Sequence, residues 1–127
     1  MEKESSSEKC ILIIDDERPV REAVTDILEI EDIQVLTAAN GIIGVEMYQK
    51  NMNRIGLVIL DLSMPGMSGK ETLTHLQAIN PDVKVILSSG YSETDVSSLV
   101  NQQNHVGFLP KPYKIDNLLA KVAEFLT

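Results

Sequence analysis

The sequence lacks most of the features that mark secreted, membrane-spanning and nucleic-acid-binding proteins. Cys10 is the one cysteine among 127 residues, so the chain forms neither an internal disulfide nor a cysteine zinc site. No apolar run approaches the roughly 20 residues needed to cross a bilayer. Basic residues number 11 against 19 acidic ones, and no basic stripe is present. We therefore expect no direct contact with nucleic acid and no membrane insertion.

The rest of the composition is that of an ordinary small globular domain. Hydrophobic residues make up 43% and charged residues 24%, close to the average for such domains, and a chain of 127 residues suits a single core. Residues 1–8 contain three consecutive serines among charged residues. We predict that they form a flexible tail or linker before one domain at residues 9–127. The polar first residues do not resemble a secretory signal peptide, so we expect a cytoplasmic location.

Five apolar segments of strand length alternate with segments of helical periodicity. The predicted strands are residues 10–14, 33–36, 57–60, 83–87 and 106–109. The first and third are continuous apolar runs, which are typical of strands covered on both faces. Strands and helices that alternate with short connections predict an α/β fold, in which a doubly wound parallel sheet of five strands carries helices on both faces.

Helix signals separate these strands. Pro19 suits a first helical turn, where its missing N–H is not needed. Ser68 and Glu71 match a capping box at the start of the third helix. The second helix has the weaker pattern, and we expect its apolar face to include Ile42, Val45 and either Met47 or Tyr48.

Polar residues follow four of the predicted strands at the point where each strand ends. Because the carboxyl ends of parallel strands lie at one edge of a sheet, where α/β folds bind their ligands, we expect these side chains to meet on one rim. In chain order they are Asp15 and Asp16, Asp61, Ser88 or Ser89, and Lys111.

The residue types on this rim suit phosphoryl transfer. Three carboxylates at one point repel each other unless a cation lies between them, and a site built from oxygen ligands suits Mg²⁺. Mg²⁺ would screen a negative acceptor from a negative donor and stabilise charge on the transferring oxygens. A carboxylate such as that of Asp61 can act as the nucleophile, and Lys111 offers a point charge to phosphate.

The motifs together resemble the receiver domain family of two-component response regulators, within the CheY-like superfamily. The resemblance rests on the acidic pair at 15–16, the segment DLSMPGMSG at 61–69, Ser89, and Lys111 followed by Pro112. It covers about residues 10–126. It implies a flavodoxin-like fold with strand order 2-1-3-4-5.

The resemblance implies a role for each residue on the rim. Asp61 would be the phosphoacceptor, and Lys111, joined to Pro112 by a cis peptide bond, would pair with the phosphoryl group. The Mg²⁺ ligands would be Asp15, Asp16, Asp61 and the backbone carbonyl of Ser63.

Two further positions correspond to the switch of the family. Ser89 is the preferred switch hydroxyl because the small residue Gly90 follows it, and Ser88 is the alternative. Phe108 occupies the place of the rotating switch aromatic, which is often tyrosine. Ser63 and Tyr91 are expected to tune the lifetime of the phosphoryl group because they border the path of the attacking water.

The resemblance implies a signalling switch and not an enzyme with a separate substrate, since only self-phosphorylation and self-dephosphorylation are expected. A histidine kinase or histidine phosphotransfer domain would donate the phosphoryl group. A downstream protein would bind the face formed by a fourth helix starting near Ser92, the fifth strand and the last helix. That last helix is expected to bury Ile115, and Lys114 is a poor N-cap for it. A phosphorylation-dependent homodimer is a further arrangement found in the family.

The serine-rich lead and the Ser-Ser-Gly-Tyr turn at 88–91 resemble receivers at the C-terminus of hybrid histidine kinases. We favour that interpretation, with a stand-alone regulator as the alternative. Two other functions fit the residues less well. A phosphatase of the haloacid dehalogenase type needs an acid two residues after its nucleophile, where this chain has Ser63. A flavin-binding module would meet repulsion between the flavin phosphate and the acids at 15–16.

Overall fold

A parallel sheet of five strands forms the centre of the structure. The computed structural model describes residues 9–90 and 105–126. The strands are β1 Cys10–Ile14, β2 Val35–Ala38, β3 Ile55–Asp61, β4 Val85–Ser89 and β5 Val106–Pro110, and the helices are α1 Arg18–Ile30, α2 Gly41–Asn51, α3 Gly69–Ile79 and α4 Ile115–Leu126. The order β2-β1-β3-β4-β5 and the parallel pairing confirm the predicted fold class.

Helices cover both faces of the sheet. Alternate residues of a strand point to opposite faces, so β1 places Leu12 and Ile14 in one core layer and Ile11 and Ile13 in the other. The first layer packs against α2 and α3, and the second packs against α1 and α4. This two-layer core explains why β1 is apolar throughout. No helix in the described ranges is both long and apolar enough to span a membrane.

Side-chain caps set the starts of two helices. Asn40 precedes α2 and its Oδ1 accepts a hydrogen bond from the Ile43 N–H at 2.9 Å. Ser68 precedes α3, where Ser68 Oγ accepts from the Glu71 N–H and Glu71 Oε1 accepts from the Ser68 N–H. This reciprocal pair is the capping box that the sequence predicted.

Strand boundaries were predicted less well than strand existence. The second strand begins at Val35, two residues later than predicted, and β4 begins at Val85. The third strand is longer than predicted and starts at Ile55. The helix predicted from Ser92 lies outside the described residues, as does Tyr91.

The expected faces of two helices were partly wrong. Ile42 is 57% exposed, whereas Tyr48, one of the two alternatives for this face, is buried, and so is Gly44. A Cβ at position 44 would lie 2.7 Å from Ile14 Cγ1, so the helix backbone sits directly on the sheet and glycine replaces a larger core residue there. In α4, Ile115 is 55% exposed, and burial begins with Leu118.

Candidate functional site

The carboxyl ends of the central strands meet at one edge of the sheet. Asp15 follows β1, Asp61 is the last residue of β3, and Lys111 follows β5. In the β3–β4 register Asp61 lies opposite Ser88. The predicted rim therefore forms, and it does so because all four strands run in the same direction.

Three carboxylates converge on this edge. One carboxylate oxygen from each of Asp15, Asp16 and Asp61 lies within 4.8 Å of the other two. Asp15 is 1% exposed and Asp61 is 2% exposed, whereas Asp16 is open to solvent. The cluster thus has a buried part and one solvent-facing member.

Backbone groups orient the two buried carboxylates. The Glu17 N–H donates to Asp15 Oδ1 at 2.9 Å, and the Ser63 N–H donates to Asp61 Oδ1 at 3.1 Å. The chain after Asp61 then passes close to the start of α3. A Cβ at Gly69 would lie 2.7 Å from the Asp61 carbonyl oxygen and still closer to Leu62 Cα, so only glycine allows this packing.

Lys111 places one positive charge among the acids. Its Nζ lies 2.9 Å from Asp15 Oδ2, 3.3 Å from Glu17 Oε1 and 3.5 Å from Asp61 Oδ1. The backbone N–H of Lys111 donates to the Ser89 carbonyl at 3.0 Å, which joins this turn to the end of β4. A single ammonium group therefore faces three carboxylates.

Burial and charge shift the ionisation of the central groups. Burial, reinforced by the neighbouring Asp15 carboxylate, raises the pKa of Asp61 to about 6, although the Ser63 N–H and Lys111 oppose the shift. Burial acts against the charged form of Lys111, but Asp15 and Asp61 outweigh it and raise the pKa of that ammonium. At neutral pH the lysine is charged and Asp61 is mostly ionised.

The donor set is that of a hard-cation site. Carboxylate oxygens are ligands that Mg²⁺ takes, and it usually retains several waters as well. The exposed side of Asp16 leaves room for those waters, and the three clustered carboxylates carry more negative charge than the single ammonium of Lys111 offsets. The residues present therefore fit the predicted metal.

Comparison with known proteins identifies the family of the chain. The response regulator receiver domain family matches residues 11–123.

The chain belongs to the response regulator receiver domain family.

Two relatives show how receivers of this kind occur in longer and shorter proteins. The receiver domain is 31% identical to sporulation initiation phosphotransferase F of Bacillus subtilis over 91% of this chain and 92% of that protein. It is also 31% identical to the sensor kinase CckA of Brucella abortus over 95% of this chain, but it spans only 13% of that kinase.

Solved structures share the fold of the receiver domain. Response regulator protein TrrA from Thermotoga maritima, solved in complex with Mg²⁺-BeF, is 33% identical, with a TM-score of 0.80 over 93% of this chain and 99% of that chain. The receiver domain of the hybrid histidine kinase CckA is 31% identical, with a TM-score of 0.78 over 92% and 98% of the two chains.

The receiver domain buries both candidate switch serines. Ser88 and Ser89 are each 0% exposed, and they point to opposite faces because they are adjacent in a strand. Their burial does not distinguish between them, so the preference for Ser89 stays a prediction. Phe108 is 7% exposed and packs inward, in the core layer beneath α2 and α3.

The remaining predicted site features lie around the loop after β3 and the turn after β5. The Lys111–Pro112 peptide bond is cis, as predicted. Ser63 is exposed next to Asp61, and the role of its carbonyl stays a prediction. Its neighbour Met64, which is not part of the predicted site, is 7% exposed and belongs to the core layer beneath α2 and α3.

Sequence reasoning missed three contributors to the site. Glu17 shares Lys111 with the two buried acids, and Arg21 Nη1 donates to the Asp15 carbonyl at 2.7 Å. Tyr113 lies near the same charges. Position alone could have suggested Tyr113, since it comes directly after the Lys-Pro pair, but no pattern in the sequence shows where its hydroxyl goes.

Proposed function

We propose that this receiver domain accepts a phosphoryl group on Asp61 from the phosphohistidine of a histidine kinase or histidine phosphotransfer domain. The observation that carries the proposal is the position of Lys111 Nζ, 3.5 Å from Asp61 Oδ1 in a cluster of three carboxylates. A buried carboxylate beside an ammonium group, in a cluster of acids that can hold a cation, suits a nucleophile that must meet an anionic donor.

The transfer forms one bond and breaks one bond. An Asp61 carboxylate oxygen attacks phosphorus, and the bond from phosphorus to the imidazole nitrogen breaks with its electron pair going to the nitrogen. Asp61 must be ionised for this attack, and its pKa of about 6 leaves it mostly so at neutral pH. Lys111 would then pair with the oxygens of the new acyl phosphate, where its charge offsets theirs.

Asp15, Asp16, Asp61 and the Ser63 carbonyl would hold Mg²⁺. When bound, the ion supplies positive charge that screens the incoming phosphoryl group and stabilises its oxygens during transfer. The Glu17 and Ser63 N–H groups donate to the two buried carboxylates and so restrict their orientation.

The output of the site would be a changed binding surface. Ser89 would donate to a phosphoryl oxygen and Phe108 would respond to that movement. A downstream protein would then bind the face formed by the helix predicted from Ser92, β5 and α4, or two phosphorylated copies would form a homodimer. The domain would turn over no separate substrate, apart from its own slow hydrolysis.

We favour a C-terminal receiver of a hybrid histidine kinase, because the matched region is a small part of the kinase CckA. We place the domain in the cytoplasm. The match to nearly all of sporulation initiation phosphotransferase F keeps the stand-alone regulator as the alternative.

Ser63 and Tyr91 would set the lifetime of the phosphoryl group on Asp61. Unchanged hydrolysis after exchange of both residues would contradict that assignment.

Intact-mass spectrometry after incubation with acetyl phosphate tests the proposal. The native chain should gain one phosphoryl group with Mg²⁺ and none in its absence, and Asp61→Asn should gain none. Asp26→Asn, an exposed carboxylate on α1, is the matched control and should react like the native chain. A folded native chain that stays unmodified by both acetyl phosphate and phosphohistidine donors would overturn the proposal.

A further inference from the structure

The turn that carries Lys111 approaches the end of β4 at two neighbouring points. The first is the hydrogen bond from the Lys111 N–H to the Ser89 carbonyl. The second involves Tyr113, whose ring packs against the core layer beneath α1 and α4 and lines a groove beside Lys111. Ser88 points to the same face of the sheet as Ile86, because alternate residues of a strand share a face, and this is the face against which Tyr113 packs. The Ser88 hydroxyl also acts on the ionisation of the Tyr113 phenol, so the two groups are neighbours.

Ser88 has a hydrogen-bonding capacity that the described residues leave unused. The residue is 0% exposed and lies opposite Asp61 in the sheet. Its Oγ has no hydrogen bond of good geometry with any described residue. A buried hydroxyl without a partner is unfavourable, so a small movement that brings the Tyr113 hydroxyl into alignment would be stabilising.

The Tyr113 phenol is protonated at neutral pH and can donate or accept in that pair. Burial raises the pKa of Tyr113 to about 12, against the opposing effects of the Ser88 hydroxyl and Lys111. The phenol therefore keeps its proton at neutral pH. The ring is partly buried against the core layer beneath α1 and α4, which restricts where its hydroxyl can lie.

We propose that Tyr113 is a positioning residue whose hydroxyl pairs with the Ser88 hydroxyl and holds the Lys111 turn so that the ammonium group faces Asp61. Lysine has a long flexible side chain, and in this site Asp15 and Glu17 compete with Asp61 for its charge. Anchoring the turn on both sides reduces the conformations open to the lysine. The inference rests on the proposed phosphoacceptor function, because it concerns the same lysine.

A double-mutant cycle tests the pairing through the phosphorylation rate. Tyr113→Phe removes the hydroxyl and keeps the ring, and Ser88→Ala removes its partner. Each change should lower the rate constant for phosphorylation by acetyl phosphate about 3- to 10-fold, because poor positioning slows transfer. The double variant should be no slower than the single variants, since both break the same contact.

Tyr48→Phe is the matched control. The Tyr48 hydroxyl is also buried and accepts a hydrogen bond from Asn80 Nδ2 at 2.9 Å, but it lies near the amino end of β4, away from the site. This variant should lose some stability and keep the native phosphorylation rate. Losses that add in the Tyr113→Phe, Ser88→Ala double variant, or a native rate in Tyr113→Phe, would overturn the inference.

A second measurement does not depend on phosphorylation. The NMR resonances of the Lys111 Cε and Nζ atoms report the surroundings of the ammonium group directly. They should shift in Tyr113→Phe and in Ser88→Ala and stay unchanged in Tyr48→Phe. Resonances that do not move in Tyr113→Phe would overturn the positioning role. If the native chain is never phosphorylated, the proposed function fails, and this measurement still decides the role of Tyr113.

Discussion

Asp61 is subject to two opposing requirements. As a nucleophile it must be ionised, yet the fold buries it beside Asp15 and raises its pKa to about 6. Lys111 and the Ser63 N–H offset only part of that effect. In the absence of a metal ion, the ionised Asp61 therefore lowers the free energy of unfolding. Residues that serve a binding site commonly reduce the stability of the fold in this way.

Replacing Asp61 should remove this loss of stability, and the free energy of unfolding should show it through its dependence on pH. The folded state binds the Asp61 proton more tightly than the unfolded state, whose pKa is near 3.8. Native stability should therefore fall as the pH rises from about 4 to 6, where only the folded state retains the proton. In metal-free buffer at pH 7.5, Asp61→Asn should be more stable than the native chain by about 1–3 kcal/mol.

Urea unfolding across pH 3.5–8 measures this difference. The gain in stability from Asp61→Asn should fall toward zero below pH 4, because the native Asp61 carboxyl is then protonated in both the folded and the unfolded state. Asp26→Asn, at an exposed position on α1, should show no such gain. A gain of equal size at every pH would contradict the assignment to the Asp61 proton.

At the scale of elements, α3 is set by local chemistry and α2 by tertiary packing. The capping box of Ser68 and Glu71 is readable in the sequence because its members are three residues apart. The buried face of α2 is not, because Gly44 permits close contact with Ile14 in a distant strand. Local signals therefore predicted where α3 begins, while the face of α2 needed the sheet.

The start of α3 should depend on the Ser68 cap. Ser68→Ala removes the acceptor for the Glu71 N–H and should lower the free energy of unfolding by about 1 kcal/mol. Thr74→Ala, at an exposed position within the same helix, is the control and should change it by less than about 0.5 kcal/mol. Equal effects from the two changes, measured by urea unfolding, would show that the cap contributes little.

The corrected face of α2 leads to a test by substitution. Ile42→Gln should cost less than about 0.5 kcal/mol, because the side chain is 57% exposed. Leu73→Ala in α3 should cost about 2–5 kcal/mol, because Leu73 is 3% exposed and its loss leaves a cavity. Thermal unfolding of both variants checks the contrast. A large loss from Ile42→Gln would place that residue back in the core.

At the scale of the whole molecule, the two core layers join the five strands into one unit that brings distant acids together. Asp15 and Lys111 are 96 positions apart in the chain and form the shortest ion pair of the site, at 2.9 Å.

The first described contacts of the chain are those of Lys9 and Cys10 with the loop before β3. The domain boundary at residues 8 and 9 stays a prediction.

Removal of residues 1–8 tests that boundary. The chain that starts at Lys9 should unfold at the same urea concentration as the native chain, within about 0.5 kcal/mol, because polar residues of a linker bury no core surface. Removal of residues 1–10 is the matched comparison. It should be clearly less stable, since Cys10 is 0% exposed and opens β1. A large loss of stability after removal of residues 1–8 would show that the domain begins before Lys9.

The sequence by itself determined the fold class and the strand-end residues of the rim, although not Glu17, Arg21 or Tyr113. Alternating strands and helices predict a parallel sheet, and the polar residues that follow four of its strands must meet at one edge, because the carboxyl ends of parallel strands lie there. The tertiary structure decided which acids are buried, how Lys111 divides its charge among Asp15, Glu17 and Asp61, and where the Tyr113 hydroxyl lies. These properties depend on burial and on distances of a few ångströms between residues far apart in the chain, and no local pattern encodes those distances.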